Sequence, residues 1–434
     1  MSFRDHIRRL LALDKIITVN APISKIYEIA GVLNQLEPGP VLFSNIRESE
    51  YQVIGNLFCS KSAFAEYFNV ELSQIIPMLT AAINNRTAYE VVESAPCQEI
   101  IQTSPDLDEL PILKHCKEDG GNYISAGVVI SRHPEFGQNL DFHRFMQISR
   151  TEMAMRVVRS RHFDSYLQDQ GEIEIAICLG NAPNILAAAA TSVGIGIDEL
   201  EIANTLEQLK VVRATTVDLL VPGDSEFILE GKVFLNKTHA EGPFVDLTGT
   251  YDIVRNEPVF EVSAITHRKD AIWQALLPGG LEHKLLMGMP REPTIFQKVN
   301  EVVQCTDVHV NPGGSSWLHA IIKINKINED DGIKAIHAAF SGHRSCKHVF
   351  VVDQDIDIYD PTQVEWAMAT RFQGDRDMVV LEKERGSSLD PSAEPETYLT
   401  TKIGFDLTKP IGAKRKQFEK TVFPEVAIER YVKR

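Results

Sequence analysis

The chain contains 434 residues, 44% of them hydrophobic and 24% charged, and its formal net charge at pH 7 is -16. This length allows two or three domains with sizeable cores, and the composition is that of an ordinary globular protein. The negative charge disfavours binding to nucleic acids and to anionic membranes, because the field of the protein repels phosphate groups. No apolar run approaches the roughly 20 residues of a membrane span, and residues 1–6 do not resemble a signal peptide. We therefore expect a cytoplasmic protein.

The first part of the chain alternates predicted helices with predicted strands. Apolar residues recur at helical spacing near residues 3–11, 24–35 and 73–83, and short β-rich runs lie between these segments. The alternation predicts an N-terminal α/β domain over residues 1–111. An acidic stretch bracketed by prolines, residues 105–111, marks its end.

The middle part, residues 112–305, is rich in short predicted strands. Only two predicted helices interrupt them, near residues 163–169 and 198–206, which favours an antiparallel sandwich or split barrel over a doubly wound sheet. Neither a G-x-G-x-x-G motif nor a P-loop follows any predicted strand, so the common dinucleotide and phosphate loops are missing. Residues 306–434 return to alternating strands and helices, which predicts a C-terminal α/β domain with a charged tail after Lys409.

Two acidic residues, Glu241 and Asp246, flank a turn-forming stretch in this middle part. Gly242 and Pro243 between them interrupt any helix and hold the two carboxylates at the ends of a bend. Carboxylates held close together can differ in pKa, so that one of them carries a proton at neutral pH. Taken alone, the stretch also fits an ordinary strand-turn-strand corner with solvated acids, which is the commoner situation.

Three further residues offer the donor types that a divalent cation accepts. Asn139 carries an amide oxygen, His162 an imidazole nitrogen and Glu199 a carboxylate. Each lies on a different predicted element, so spacing alone does not bring them together. Their alternative roles are a loop asparagine, a histidine near a helix start and a glutamate that complements the helix dipole in the first turn.

Taken in order, these motifs resemble the UbiD family of prenylated-FMN-dependent decarboxylases over nearly the whole chain. The resemblance implies an α+β fold with an N-terminal α/β domain, a central antiparallel split β-barrel like that of flavin reductases, and a C-terminal α/β domain. The motifs that carry it are Asn139-x4-Arg144, Arg161-His162, Asp198-Glu199, Glu241-Gly-Pro-Phe-x-Asp246 and Leu281-Glu282-His283.

The resemblance also implies a cofactor site. By analogy with the family, a manganese-type ion held by three residues would bridge to the phosphate of prenylated FMN, with potassium as an optional second ion. Those metal ligands would be Asn139, His162 and Glu199. The expected cofactor-binding residues are Asn139, Arg144, Arg161, His162, Thr191, Ser192, Glu199 and Lys402.

The same resemblance assigns a catalytic triad to Arg144, Glu241 and Asp246. Some relatives carry glutamate at the last position, and aspartate shortens the reach by one methylene. In this reading Asp246 protonates the carbon that loses CO2, while Glu241 supports Arg144. Arg144 orients a carboxylate or the cofactor through its bidentate fork. Its alternative role is that of a buried ion-pair partner for one of the acids.

The substrate is less strongly indicated than the reaction class. His283 and Arg291 are placed to bind a second anionic group, or else they pair within a helix-loop corner. Their stretch is similar to that of archaeal family members that convert trans-anhydromevalonate 5-phosphate to isopentenyl phosphate in isoprenoid biosynthesis. The alternatives are decarboxylation or reversible carboxylation of a furan, pyrrole or aryl (di)carboxylate, and a flavin-binding subunit without activity. The family further implies a separate flavin prenyltransferase as cofactor supplier and a homodimer or a hexamer of dimers.

Overall fold

A computed structural model describes residues 1–159 and 161–432. The N-terminal part starts with an amphipathic helix that Ser2 caps and whose Phe3, Ile7 and Leu10 are buried. Behind it lies a four-stranded sheet whose last strand comes from much later in the chain. The elements of this part are α1 (Phe3–Ala12), β1 (Ile17–Val19), α2 (Glu28–Leu36), β2 (Val41–Phe43), β3 (Gln52–Gly55), α3 (Lys61–Phe68) and α4 (Ile75–Asn84).

The helix predicted to begin at Ser24 begins four residues later. The hydroxyl of Ser24 accepts from the amide of Ile26 at 3.0 Å, which lies before the helix, and donates to Glu48 at 2.5 Å. The N-cap residue of the helix is Tyr27. Helix α3 was not predicted, although Ser60 caps it by accepting from the amide of Ala63.

The middle part is built on a nine-stranded antiparallel sheet that does not close on itself. Its strand order is β6-β9-β10-β17-β14-β11-β7-β8, with β5 paired to β17. The strands that precede the first helix of this part are β4 (Glu90–Val92), β5 (Ile100–Gln102), β6 (Tyr123–Ile124), β7 (Val128–His133), β8 (Gly137–Phe142), β9 (Phe145–Gln147) and β10 (Glu152–Met155). The elements that follow are α5 (His162–Gln170), β11 (Glu172–Leu179), α6 (Pro183–Ala190), α7 (Glu199–Leu206), β12 (Lys210–Arg213), β13 (Leu220–Pro222), β14 (Phe227–Glu241), β15 (Phe244–Val245), β16 (Tyr251–Asp252), β17 (Arg255–His267) and β18 (Ile272–Gln274). An open sheet of this kind confirms the predicted antiparallel, split-barrel-like class.

The core of this part lies around strand β11 and helix α6. Residues 175–179 of β11 are all buried, because the strand is flanked by β14 and β7 within the sheet. Every residue of α6 is buried as well, including its four alanines, whose small side chains allow close packing. No helix was predicted here, so α6 is an addition directly before the expected cofactor residues Thr191 and Ser192.

The C-terminal part is an α/β unit, as predicted, around the five-stranded sheet β19-β20-β21-β23-β22. The three inner strands run parallel and the two edge strands antiparallel to their neighbours. Its elements are α8 (Leu281–Gly288), α9 (Glu292–Asn300), β19 (Cys305–Val310), β20 (His319–Ile324), α10 (Asp331–Gly342), β21 (His348–Asp353), α11 (Pro361–Arg371), β22 (Met378–Arg385) and β23 (Leu399–Asp406), of which α8 and α9 lead in from the middle part. Among the residues described, no helix is long and apolar enough to cross a membrane.

Candidate active site

The guanidinium of Arg144 joins the two acids of the Glu241-Gly-Pro-Phe-x-Asp246 motif. Its Nε and Nη2 donate to the two carboxylate oxygens of Glu241, both at 3.0 Å. Its Nη1 donates to Oδ2 of Asp246 at 2.9 Å. The guanidinium also lies over the ring of Phe244, 5.1 Å from the centroid. The structure therefore brings the three predicted catalytic residues into one hydrogen-bonded group.

The backbone of the motif explains why the two acids converge. Glu241 is the last residue of β14, and Gly242 follows with a φ of 102°, a region that residues with side chains rarely adopt. Phe244 then packs on Tyr123, with ring centroids 4.0 Å apart, and this contact fixes the turn. Glu241 is fully buried, whereas the side chain of Asp246 is 20% exposed. The buried acid can hold the arginine, and the exposed acid can meet a substrate.

A third carboxylate, Asp252, binds the same guanidinium and was not predicted. Its Oδ2 accepts from Nη2 of Arg144 at 3.0 Å and from Nη1 of Arg255 at 2.7 Å. Burial raises the pKa of Asp252, but the hydrogen bond from Arg255 and the surrounding guanidinium charges outweigh it and lower the pKa overall. Strands β15 and β16 place Phe244 opposite Asp252. That register is the signal that the sequence analysis missed, because two-residue strands leave no recognisable pattern.

Asn139, His162 and Glu199, the predicted metal ligands, also lie together. Oδ1 of Asn139 is 3.2 Å from Nδ1 of His162, and the amide of the next residue, Leu140, donates to Oε2 of Glu199 at 2.9 Å. The side-chain nitrogen of Asn139, Nδ2, is buried without a hydrogen-bond partner. Burial raises the pKa of Glu199 to about 8 and lowers that of His162.

These features fit a bound cation in chemical terms. A cation would stabilise the buried carboxylate in its charged form, and it requires the imidazole to be neutral. No group of three or more His, Cys, Asp or Glu side chains that could hold a metal occurs in the part of the chain that the structure describes. A cation here would therefore depend on the amide oxygen of Asn139 in addition to the two titratable ligands.

The remaining predicted cofactor residues lie on or next to three elements, α5, α6 and β23. Thr191 ends helix α6 and donates its hydroxyl hydrogen to the carbonyl of Ala187 at 2.8 Å, and Ser192 follows it. Arg161 is the N-cap residue of α5, next to His162. Lys402 comes from β23, where it is buried and donates to the carbonyl of Arg344 at 2.5 Å.

The predicted substrate residues, His283 and Arg291, lie on and just after helix α8. Nδ1 of His283 accepts from the amide of Gly279 at 3.0 Å, so the neutral ring carries its proton on Nε2. Burial lowers the pKa of His283, and the nearby charge of Asp246 opposes this shift. His283 lies close to Asp246 and Arg144, and Nε2 is its hydrogen-bond donor. Its role in substrate binding stays a prediction.

Arg291 belongs to a cluster of cations instead. Its Nη1 donates to Oγ of Ser192, and its guanidinium lies over Trp317, 5.3 Å from the ring centroid. Burial and the nearby charge of Arg161 lower the pKa of Arg291 to about 10. Burial lowers the pKa of His343 to about 3, and the charges of Arg291, Lys402 and Arg161 add to this effect. Positively charged groups that lower one another's pKa in this way favour the binding of an anion between them.

Comparison with known proteins places this site in a family. Residues 7–83, 90–281 and 284–407 match the N-terminal, Rift-related and C-terminal domains of 3-octaprenyl-4-hydroxybenzoate carboxy-lyase. The chain belongs to the UbiD family. The resemblance drawn from its motifs is thereby confirmed, and so is its class as a carboxy-lyase.

Several UbiD relatives are similar over nearly their full length. The anhydromevalonate phosphate decarboxylase of Methanothermobacter thermautotrophicus is 42% identical, with 93% of this chain and 97% of the relative covered. The enzyme of the same name from Methanosarcina mazei is 41% identical, with 98% and 100% covered. The UbiD-class enzyme HmfF from Pelotomaculum thermopropionicum, solved in complex with FMN, superposes with a TM-score of 0.96 at 32% identity over 100% of both chains.

Proposed function

We propose that this protein decarboxylates trans-anhydromevalonate 5-phosphate to isopentenyl phosphate, as a step of isoprenoid biosynthesis. The observation that carries the proposal is the fork of Arg144 between a fully buried Glu241 and a partly exposed Asp246. That arrangement offers an oriented cation and an accessible proton donor at one place. The names of the archaeal relatives support the choice of acid.

Prenylated FMN is the cofactor in this proposal, because HmfF has been solved with FMN and, in an evolved dimeric form, with prenylated FMN. Asn139, His162 and Glu199 would hold Mn²⁺ at the cofactor phosphate, with K⁺ as an optional second cation. Arg161, Thr191, Ser192 and Lys402 would complete the cradle. When bound, the cofactor supplies a sink for the electron pair that CO2 leaves behind.

The residues of the chain have separate tasks in the reaction. Glu241 holds Arg144 in a fixed orientation through two charge-assisted hydrogen bonds, and Arg144 orients the reacting carboxylate. Asp246 donates a proton to the carbon that has lost CO2, so that a C–H bond replaces the C–C bond. Asp246 then recovers a proton from water, for which its partial exposure leaves a path.

The substrate phosphate would be bound by Arg291, with a hydrogen bond from Nε2 of His283 to the reacting end of the acid. Burial and the nearby charge of Arg161 lower the pKa of Arg291, which favours an anion next to Arg291. The enzyme would act in the cytoplasm, receive its cofactor from a flavin prenyltransferase and assemble as a homodimer or a hexamer of dimers.

A second candidate is an aryl, furan or pyrrole (di)carboxylate, acted on in either direction. It is favoured by the similarity to the 3,4-dihydroxybenzoic acid decarboxylase of Klebsiella pneumoniae, which superposes with a TM-score of 0.93 at 25% identity over 99% of this chain and 98% of that one. A second carboxylate could take the place of the phosphate at Arg291. A flavin-binding subunit without activity is disfavoured by the intact group of Arg144, Glu241 and Asp246.

A competition assay separates these functions. Purified holoenzyme is offered the phosphorylated enoic acid and furan-2,5-dicarboxylate together, and the product of each is measured by mass spectrometry. We expect only the phosphorylated acid to lose CO2, and Asp246→Asn serves as the inactive control. Turnover of the furan acid alone would support the second candidate, and turnover of neither would favour the subunit without activity.

A further inference from the structure

Three carboxylates share the guanidinium of Arg144, and they share it unequally. Glu241 accepts from Nε and Nη2, and Asp252 accepts from Nη2 as well, each at 3.0 Å. Asp246 accepts only from Nη1, at 2.9 Å. Two carboxylates therefore hold the guanidinium at Nε and Nη2, and Asp246 alone holds Nη1.

Asp246 has to weaken this contact in order to act as an acid. A hydrogen bond from a guanidinium stabilises the charged carboxylate, whereas the donor of a proton must be neutral. The side chain of Asp246 is 20% exposed, that of Asp252 is 12% exposed and that of Glu241 is fully buried. Asp246 is thus the carboxylate with the most room to move.

We propose that Asp252 is a positioning residue, which keeps Arg144 on Glu241 and neutralises part of its charge while Asp246 leaves to protonate the substrate. This inference rests on the proposed role of Asp246 as proton donor. Without Asp252, the free charge of Arg144 would fall mainly on Asp246 and hold it as a carboxylate.

The position of Asp252 does not depend on the side chain of Asp246. Arg255 donates to Asp252 at 2.7 Å, and Nε of Arg156 lies 3.6 Å from the same oxygen. The pairing of β15 with β16 fixes the backbone, since Phe244 lies opposite Asp252. Asp252 can therefore stay in place while Asp246 moves.

The charges around Asp246 and Asp252 determine in which direction the titration of Asp246 shifts when Asp252 is replaced. Removal of the negative charge of Asp252 leaves an excess of positive charge, which favours the carboxylate form of Asp246 and restricts its protonated form to lower pH. The charged and titratable groups that face Asp246 and Asp252 from the surrounding elements are Arg144, Arg156, Glu241, Arg255 and His283, with Glu257 and Lys284 next to them.

A titration of the cofactor-free protein tests this without any substrate. The protein is labelled with aspartate carrying ¹³C in the side-chain carboxyl group, and the signal of Asp246 is identified by its loss in Asp246→Asn. In Asp252→Asn we expect that signal to titrate about 0.5 to 1 pH unit lower than in the wild type. Glu257→Gln removes the charge that pairs with Arg156. Glu257 does not bind Arg144, so this variant should shift the titration of Asp246 clearly less than Asp252→Asn does. Asp252→Glu, which keeps the charge, should stay near the wild type.

The pH profile of the holoenzyme gives the second readout. Activity is lost at high pH as the proton donor ionises, so in Asp252→Asn the alkaline limb of kcat should move to lower pH while the flavin content stays unchanged. An unmoved Asp246 signal, or an equal shift in Glu257→Gln, would overturn the role of Asp252. If Asp252→Asn does not fold, Asp252→Ser is used in its place. A shifted titration of Asp246 in a protein that turns over no acid would support the positioning role of Asp252 and would count against the proposed function.

Discussion

Arg144 binds Glu241 through two nitrogen atoms but reaches Asp246 through only one, Nη1, at 2.9 Å. This difference separates a residue that holds the arginine from one that can leave it. Asp246→Asn should therefore lower kcat by about 10²-fold or more, because the amide cannot donate the proton. The flavin absorbance of the purified variant should remain, since the contact that it changes is the weaker of the two.

Asp246→Glu is the matched variant for this prediction. It keeps an acid at the position, as in family members that carry glutamate there, and should retain measurable turnover. If Asp246→Asn instead loses its flavin and keeps its activity per bound flavin, Asp246 has a binding role.

Glu282 gives a prediction about stability and pH. It is 2% exposed, and burial raises its pKa from 4.5 to about 8. The folded protein then holds this proton more tightly than the unfolded chain does, so the free energy of unfolding falls as the pH rises from about 5 to about 8. The loss approaches about 1.4 kcal/mol per pH unit in this range.

Glu282→Gln resembles the protonated acid and should remove this dependence. Thermal unfolding followed at pH 5.5 and at pH 8 should show a smaller decrease in Tm for the variant than for the wild type. Glu301→Gln, on the exposed end of α9, serves as control. Equal decreases in Tm for Glu282→Gln and the wild type would mean that Glu282 is ionised in the folded protein.

Glu282 also shows where the sequence analysis reached its limit. The motif Leu281-Glu282-His283 was recognised, but only the fold shows that Glu282 turns away from the site, toward the backbone of residues 56–58. Neighbours in a helix point in different directions, and no local pattern says which face meets which domain. The classes of the three parts were predictable because strands such as β11 carry their apolar pattern locally.

Helix α6 and Asp252 were missed for two different physical reasons. All faces of α6 are buried, so its alanine-rich sequence lacks the apolar and polar alternation by which a helix is recognised. Asp252 depends on the register of two very short strands, which is a property of the folded hairpin. The metal ligands were named for their donor types and then through family resemblance. Their proximity could not have come from spacing, because β8, α5 and α7 are far apart in sequence.

His162 is expected to retain the metal ion and, through it, the cofactor. His162→Ala removes a neutral nitrogen donor that lies 3.2 Å from the amide oxygen of Asn139. The metal content after dialysis, measured by mass spectrometry, should fall about tenfold or more, because a small site tolerates the loss of one ligand poorly. His337→Ala, on the exposed face of α10, should leave the metal content unchanged. Unchanged metal in His162→Ala would remove His162 from the site.

Arg291 should distinguish acids by their second anionic group. Arg291→Ala removes a charge-assisted hydrogen-bond donor, which is worth about 1.5 to 3 kcal/mol, and should raise KM for the phosphorylated acid about 10- to 100-fold. An analogue with a hydroxyl group in place of the phosphate provides the comparison, because its KM should change little. Equal losses for both acids, together with lost flavin, would assign Arg291 to the cofactor instead.

The C-terminal segment, residues 412–434, is expected to take part in self-association. Residues 412–434 carry seven Lys or Arg and three Glu, which is a charge of +4 and leaves -20 on the rest of the chain. The segment is held to its own subunit at its start, where Arg371 donates to the carbonyl of Phe418 at 3.1 Å. Beyond it the apolar side chains Val422 and Phe423 are 87% and 85% exposed. An exposed apolar segment that follows a basic one is suited to the acidic surface of a second copy.

Deletion of residues 421–434 should therefore weaken self-association. Sedimentation of the full chain over a range of concentrations should give the mass of a dimer or a larger assembly, and the shortened chain should dissociate at concentrations at least about tenfold higher. Replacement of Val422 and Phe423 by serine keeps the charge of the segment. This variant should show the same weakening of self-association if the apolar contact dominates. A dependence of the full chain's self-association on salt concentration would show the electrostatic contribution. If the full and shortened chains have the same mass at every concentration, the tail plays no part in assembly.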